Sequence, residues 1–282
     1  MIENDLVSII LPVRNSSKTL SRSIDSIINQ TYKNIELIII DDYSHDNSVK
    51  IIKDYLKIDK RIKFYKSDFN DQHRFLKNNT NINAGYSSRN TGLNKATGKW
   101  ITFQDSDDIS LLNRIEIQLA LSRKFKTKHL TTSCFHLDEH KHYLKKINFN
   151  KYINFKNIKK FECKPLINSN KIFLPLPDMI FKSIPFKLKC FPIIRKIILG
   201  DLDISYPGAA NNCFFYSDYK KIKFRPLSLR RWPSSRGRGA DKDFNFLLAR
   251  QSYNPIFYDI PLYGWRTPTF FSNHQEISNF LI

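Results

Sequence analysis

The chain has 282 residues, 41% hydrophobic and 26% charged, which is too apolar for disorder and long enough for one large domain or two fused halves. Eight glycines and twelve prolines exclude a collagen-like or low-complexity chain. Forty-six basic residues against 26 acidic ones give a net charge of +20, which attracts polyanions: nucleic acid, anionic lipid or phosphate-bearing substrates. The four cysteines, Cys134, Cys163, Cys190 and Cys213, form no CxxC pair. That argues against zinc and dithiol chemistry and for reduced, small core residues. No apolar run approaches the roughly 20 residues of a membrane span, and the start lacks a basic stretch before its short apolar run. A cytoplasmic chain is expected.

The first 125 residues alternate regularly. Val7 to Leu11 is an apolar run of strand length, stopped by Pro12 and the polar turn from Arg14 to Ser17. Leu20, Ile24, Ile27 and Ile28 follow at helical spacing. Glu36 to Ile40 is a second strand that ends at Asp41 and Asp42. Val49, Ile52, Tyr55 and Leu56 predict the next helix, and Arg61 to Tyr65 a third strand. A helix through Ser88 to Ala96 stops at Gly98, and the strand Trp100 to Phe103 runs into Asp105-Ser106-Asp107-Asp108. Leu112, Ile115 and Leu119 mark another helix. Strands apolar throughout, alternating with amphipathic helices, predict an α/β fold with a mostly parallel sheet covered on both faces. Beyond residue 126 the rhythm is lost, and residues 140–200 carry no clear element. Ala209 to Tyr216 predicts a buried strand, Asp241 to Gln251 a helix, and Pro255 to Leu262 a last strand.

Ligands of an open α/β sheet sit beyond the carboxyl ends of its strands. Two acidic clusters fall there, Asp41/Asp42 and Asp105/Asp107/Asp108. Turn and cap chemistry accounts for Asp41/Asp42 as readily as ligand binding does. Three acids in four residues exceed what capping requires, and hard oxygen donors in that number suit Mg²⁺ or Mn²⁺ bridging to substrate phosphates.

VSIILPVRN, then ELIIIDDYSHDNS, then NAGYSSRNTGLNKATGKWITFQDSDD resembles, in order and spacing over roughly residues 5–120, the N-terminal half of family 2 glycosyltransferases. The resemblance implies a GT-A fold, Rossmann-like, with a nucleotide-sugar-binding half over 1–125. A less regular acceptor-binding half over 126–282 would carry an insertion around 140–200. It implies that Pro12 and Asn15 border the nucleobase pocket, that Asp42 contacts base or ribose, and that Arg89 and Asn90 face the donor. Asp105-Ser106-Asp107 would be the family's Asp-x-Asp motif. Asp105 would serve the donor and Asp107 the metal, with Asp108 leaving the ligand register open. Arg14 stands where the family often has an aromatic residue, and Tyr43 where it usually has Gly.

Arg238-Gly-Ala-Asp-Lys-Asp-Phe244 resembles the helix start that presents the family's catalytic base. Ala240 replaces the usual Glu; Asp241 is favoured as the base, with Asp243 a first-turn acid suited to the helix dipole. Arg225, Arg230, Arg231, Arg236 and Arg238, with Trp232, crowd the approach and suit a diphosphate, a lipid-linked acceptor or an anionic membrane surface as well as a solvated basic loop. Tyr263-Gly-Trp-Arg266 resembles a late aromatic-plus-Arg segment of the family. The seven histidines show no ligand pattern, and His136 and His140 are expected at the surface.

The expected activity is inverting transfer of a sugar from a nucleotide-diphosphate sugar to a hydroxyl of a surface glycan or lipid-linked acceptor, at the inner face of the cell membrane. Two rivals remain: a GT-A-fold binding protein without catalysis, and a basic nucleic-acid-binding protein. Strand-end carboxylates would repel nucleic-acid phosphates, so no nucleic acid is expected. A nucleotidyltransferase would need a Gly-rich phosphate loop after the first strand, and Pro-Val-Arg-Asn-Ser-Ser is not one.

Overall fold

The structure, a computed structural model, describes residues 4–71, 74–75, 83, 85–137, 144–156, 161–162, 183–185, 188, 191, 212–226, 229–230, 240–266, 277 and 279–282. The first half follows the apolar spacing closely: β1 Val7–Val13, α1 Leu20–Ile28, β2 Ile35–Asp41, α2 Ser48–Ile58, β3 Ile62–Lys66, α3 Tyr86–Lys95 and β4 Trp100–Phe103. A two-residue strand, β5 Ile109–Ser110, precedes α4 Arg114–Lys124. The described residues then give β6 His129–His136, α5 Phe149–Lys156, β7 Phe161–Glu162, β8 Cys213–Tyr216, α6 Ala240–Gln251 and β9 Ile256–Trp265.

These strands form one sheet in the order β3-β2-β1-β4-β8-β6-β9-β5, with β7 also on β9. From β3 to β4 all pairings are parallel. Beyond β4 the sheet is mixed: β8 runs antiparallel between β4 and β6, β9 is parallel to β6, and β5 and β7 are antiparallel to β9. The expected boundary at 125/126 falls between α4 and β6, but the sheet does not break there. Most of the insertion expected around 140–200 lies outside the described residues.

Neighbouring strand residues feed two cores, which is why the runs are apolar throughout. On one face Ile9, Leu11, Leu37 and Ile39 meet Leu20, Ile24 and Ile27 of α1 and Ile52 of α2. On the other, Ile10, Ile38, Ile40 and Phe103 meet Leu93 of α3 and Phe244 and Leu248 of α6. At Gly92 any Cβ would come within 2.3 Å of Ile10 Cγ2, so only glycine lets α3 lie this close to β1. At the amino ends of the strands, buried Glu36 accepts hydrogen bonds from Ser8 Oγ (2.5 Å), Lys63 Nζ (2.6 Å) and the Thr97 amide (2.8 Å). Burial would raise its carboxyl, but these donors outweigh it and hold it below the ordinary value.

β6 went unrecognised in the sequence because Thr131, Thr132, Ser133 and Cys134 break its apolar pattern, although both threonines are buried. Cys213 is a core residue as expected, whereas Cys134 is exposed on β6; Cys163 and Cys190 lie outside the described residues. His129 is buried in the core. His136 is half-buried, and His140 lies outside the described residues. Among the described residues no helix is long and apolar enough to cross a membrane.

Candidate active site

The carboxyl ends of β1, β2 and β4 converge through short polar side chains. Ser16, after β1, shares a hydroxyl hydrogen bond of 2.7 Å with Ser106 after β4, and its amide donates to Ser48 Oγ at the start of α2 (2.8 Å). From α1, Ser23 Oγ donates to the Asp105 carbonyl (2.8 Å), and Ser26 Oγ accepts from the Ser110 amide (3.1 Å). The serine face of α1 thus carries the acidic loop.

Within that loop, Asp105, Asp107 and Asp108 present carboxylate oxygens that all lie within 4.8 Å of one another. Asp108 is buried, and its oxygens accept from the Tyr263 hydroxyl and the Arg266 amide, both at 2.8 Å. The same Tyr263 hydroxyl accepts the Asp105 amide at 2.9 Å. Burial first, then the charges of Asp105 and Asp107, push the Asp108 carboxyl well above its usual range. Asp107 is solvent-exposed at the loop tip, yet the surrounding protein and then the Asp105 charge raise it too. Three hard oxygen donors this close together form a site short of positive charge, and this fits a divalent cation.

Arg89 of α3 links this loop to α6. Its guanidinium lies 2.5 Å from Asp105 Oδ1 and 3.8 Å from Asp241 Oδ1. Burial alone would lower the Arg89 pKa; the Asp105 and Asp241 carboxylates reverse that and lift it above the ordinary value. Asp241 Oδ1 is buried with no hydrogen-bond partner among the described residues. Burial, and less strongly Asp105, raise the Asp241 carboxyl, against the pull of Arg89 and Arg230. Asp243 is placed quite differently: fully buried, it takes a two-point clamp from Arg225 at 2.8 and 2.5 Å. Its role therefore exceeds the helix-dipole contribution expected from its position. Ala240, where the resembling family has Glu, packs in the core with Phe244.

The other expected site residues sit as follows. Asp42 is buried and bound at both oxygens by Arg74, each contact 2.8 Å. Arg14 donates to the carbonyls of Asp42 and Tyr43, and its guanidinium lies 6.0 Å from the exposed Phe75 ring. Pro12 pairs with β2 at Ile40. Asn15 is exposed with a positive φ of 48°, and its Oδ1 accepts the His45 amide at 2.8 Å. Tyr43 also has a positive φ, 59°, which explains why the resembling family usually carries Gly there. Asn90 turns away from the acids and makes a two-way pair with the Phe224 backbone at 2.9 and 2.8 Å.

Of the expected basic cluster, Arg225 and Arg230 point inward, Arg230 donating to the Arg225 and Asn83 carbonyls at 2.9 and 3.0 Å. Arg231, Trp232, Arg236 and Arg238 lie outside the described residues. Two site arginines escaped the sequence reading. Arg74 lies in a stretch without periodicity. Arg114 reads as an ordinary helix residue but is buried, donating to Ser110 Oγ (2.8 Å) and Thr102 Oγ1 (2.7 Å) beneath the acidic loop.

A parallel half-sheet joined to a mixed half, with an acidic loop where β4 ends, is the GT-A fold. Staphylococcus aureus TarS 1–349 in complex with UDP-GlcNAc shares it, with a TM-score of 0.57 at 16% identity, over 94% of this chain and 59% of that one. Residues 8–199 match the family described as Glycosyl transferase family 2, and the chain belongs to that family. An uncharacterised glycosyltransferase of Haemophilus influenzae is 42% identical over 114 residues, 40% of this chain and 41% of that protein. The Escherichia coli UDP-Glc:alpha-D-GlcNAc-diphosphoundecaprenol beta-1,3-glucosyltransferase WfgD is 37% identical over 123 residues, 44% of this chain and 43% of its own. The matched segment thus spans less than half the length of these relatives.

Proposed function

We propose that this protein is an inverting glycosyltransferase that moves a sugar from a nucleoside-diphosphate sugar to a hydroxyl of a surface glycan or lipid-linked acceptor. Residues 1–125 would supply most of the donor site and residues 126–282 the acceptor side and the base. The observation that carries this reading is the contrast within α6. Asp241 has a buried carboxylate oxygen without a hydrogen-bond partner, 3.8 Å from an arginine that also holds Asp105, while Asp243 is consumed by Arg225. In the resembling relatives, WfgD uses UDP-Glc by its name, which supports a uridine donor here.

Asp241 takes the proton of the acceptor hydroxyl as that oxygen attacks the anomeric carbon. The bond from that carbon to the diphosphate breaks on the opposite face, and the electron pair leaves with the diphosphate. One displacement inverts the centre, so no enzyme nucleophile is needed. Arg89 holds Asp105 and Asp241 at a fixed spacing. Asp107, with Asp105 and Asp108, would hold Mn²⁺ or Mg²⁺, which supplies positive charge to the leaving diphosphate when bound. Asp42, Pro12 and Asn15 would frame the base, with Arg14 and Phe75 beside them. The +20 charge favours a peripheral position on an anionic membrane surface.

The test is transfer from a panel of nucleotide sugars with Mn²⁺. Asp241→Asn should cut turnover by about 10²–10⁴-fold while leaving nucleoside-diphosphate binding intact. If Asp241→Asn transfers at the wild-type rate, Asp241 is not the base. If the wild type transfers from no donor, the protein is a binding member of the family.

A further inference from the structure

Past Tyr263 the paired ends of β6 and β9 carry residues that the proposed chemistry leaves unused. β6 and β9 run in step over their last residues, Cys134 beside Tyr263, Phe135 beside Gly264, and His136 beside Trp265. Side chains alternate across a strand, so the middle row faces opposite to the two outer rows. The middle row is core: a Cβ on Gly264 would come within 2.7 Å of Phe135 Cζ and 2.8 Å of Ile109 Cγ1. The outer rows share the face on which Tyr263 meets Asp105 and Asp108. Trp265 therefore lies one strand repeat beyond Tyr263 on that face, next to Arg266, whose amide donates to Asp108 at 2.8 Å.

Trp265 is 44% exposed, and the His136 ring flanks its indole with centroids 6.0 Å apart and planes 33° apart. On the neighbouring β8, Asn212 directly precedes Cys213, the partner of Thr131 on β6, and its buried Oδ1 has no hydrogen-bond partner among the described residues. Asp241 Oδ1 is in the same condition. The site thus presents aromatic rings past Tyr263, and acceptor oxygens lacking donors at Asn212 and at Asp241, which is linked to Tyr263 through Arg89 and Asp105. A pyranose ring complements both, with an apolar C–H face and hydroxyl donors around its rim. Two rings are too little apolar surface for a protein partner, which needs a patch of several hundred Å².

We propose that Trp265, flanked by His136, is the stacking platform for the terminal pyranose of the acceptor. This rests on the glycosyltransferase reading and adds the class of group that the acceptor side takes. Stacking on Trp265 would hold the sugar plane while a hydroxyl reaches Asp241.

Ligand-observed saturation-transfer NMR with methyl glucoside, methyl galactoside and methyl N-acetylglucosaminide tests it without any turnover. In the wild type at least one probe should bind, with transfer strongest to protons on one ring face. Trp265→Ala should weaken that binding by about tenfold, and Trp265→Phe should retain most of it. UDP with Mn²⁺ should raise the melting temperature of the wild type and both variants equally, which shows that they are folded. Trp265→Ala binding as tightly as the wild type would overturn the proposal, as would no probe binding to the wild type at up to about 0.1 M. Failure of UDP to bind the wild type would count against the donor reading, and the sugar titrations would still judge Trp265.

Discussion

Two strands of the parallel half-sheet end in acids, and the protein treats the two ends in opposite ways. At the end of β2, Asp42 is matched atom for atom by the buried Arg74 guanidinium, and Asp41 accepts the Ser44 amide at 3.1 Å. At the end of β4, three carboxylates lie within 4.8 Å of one another, Arg89 pairs with Asp105 and is also near Asp241, and burial and mutual charge raise Asp107 and Asp108. A balanced pair contributes shape and rigidity. In an unbalanced cluster a cation from outside would complete the charge. Acidic residues at strand ends are therefore not equivalent signals; what decides is whether the fold supplies the counter-charge.

The sharpest way to break this contrast is to unbalance the balanced end. Arg74→Leu leaves Asp42 buried without its partner and should cost about 3–5 kcal/mol in urea unfolding. A loss below about 1 kcal/mol would mean that solvent already screens the pair.

Acidification sharpens it next, once a competing titration is removed. Buried His129 bonds Asn245 Oδ1 at 2.8 Å, and burial lowers its pKa to about 4. The unfolded chain takes up that proton first, so stability is full above pH ~6.5 and falls as the pH drops toward 4, by on the order of 3 kcal/mol. His129→Gln should flatten this slope. Asp107 and Asp108 act with the opposite sign: their raised values make the folded state more stable as protons are added. Denaturation across pH 4 to 7 in the His129→Gln background should reveal that gain.

Third, Asp107→Ala should remove the metal-dependent stabilisation by a nucleoside diphosphate, about 2.7 kcal/mol at 100 times its dissociation constant. Without ligand the variant should be no less stable than the wild type. Full Mn²⁺-dependent stabilisation in the variant would refute the cation assignment.

The smallest effect concerns the support of the acidic loop. Ser23→Ala removes a 2.8 Å bond to the Asp105 carbonyl and should cost about 1 kcal/mol, seen as a lower melting temperature. Unchanged stability would mean that water replaces the hydroxyl.

Much of the first half was legible because burial on both faces forces continuous apolar strands, and their ends are where Asp42 and Asp105 must fall. The second half was less so. β6 conceals its burial behind polar but buried threonines, Thr131 and Thr132, and β5 is too short to carry a pattern. The choice of Asp241 over Asp243 rested on a turn, whereas the clamp on Asp243 depends on Arg225, eighteen residues away, whose partner no spacing rule identifies. Asn90 shows the converse: a polar residue in a motif-like segment whose side chain serves the backbone of Phe224. Side-chain pairing across distant segments is the information that periodicity lacks.

The placement of β8 also sets the order of events during folding. β4 finds its second neighbour in a strand more than 100 residues later, and the Asp105–Asp108 loop is closed by Tyr263 from 155 residues beyond. Such long-range closures are slow because chain entropy is lost before contacts repay it. While the chain is being made, β1 to β4 can pair early, but the three acids stay untethered until β9 emerges and docks. A nascent chain should thus acquire its sheet before its chemistry, and a ribosome stalled ahead of β9 would display a folded but inert half.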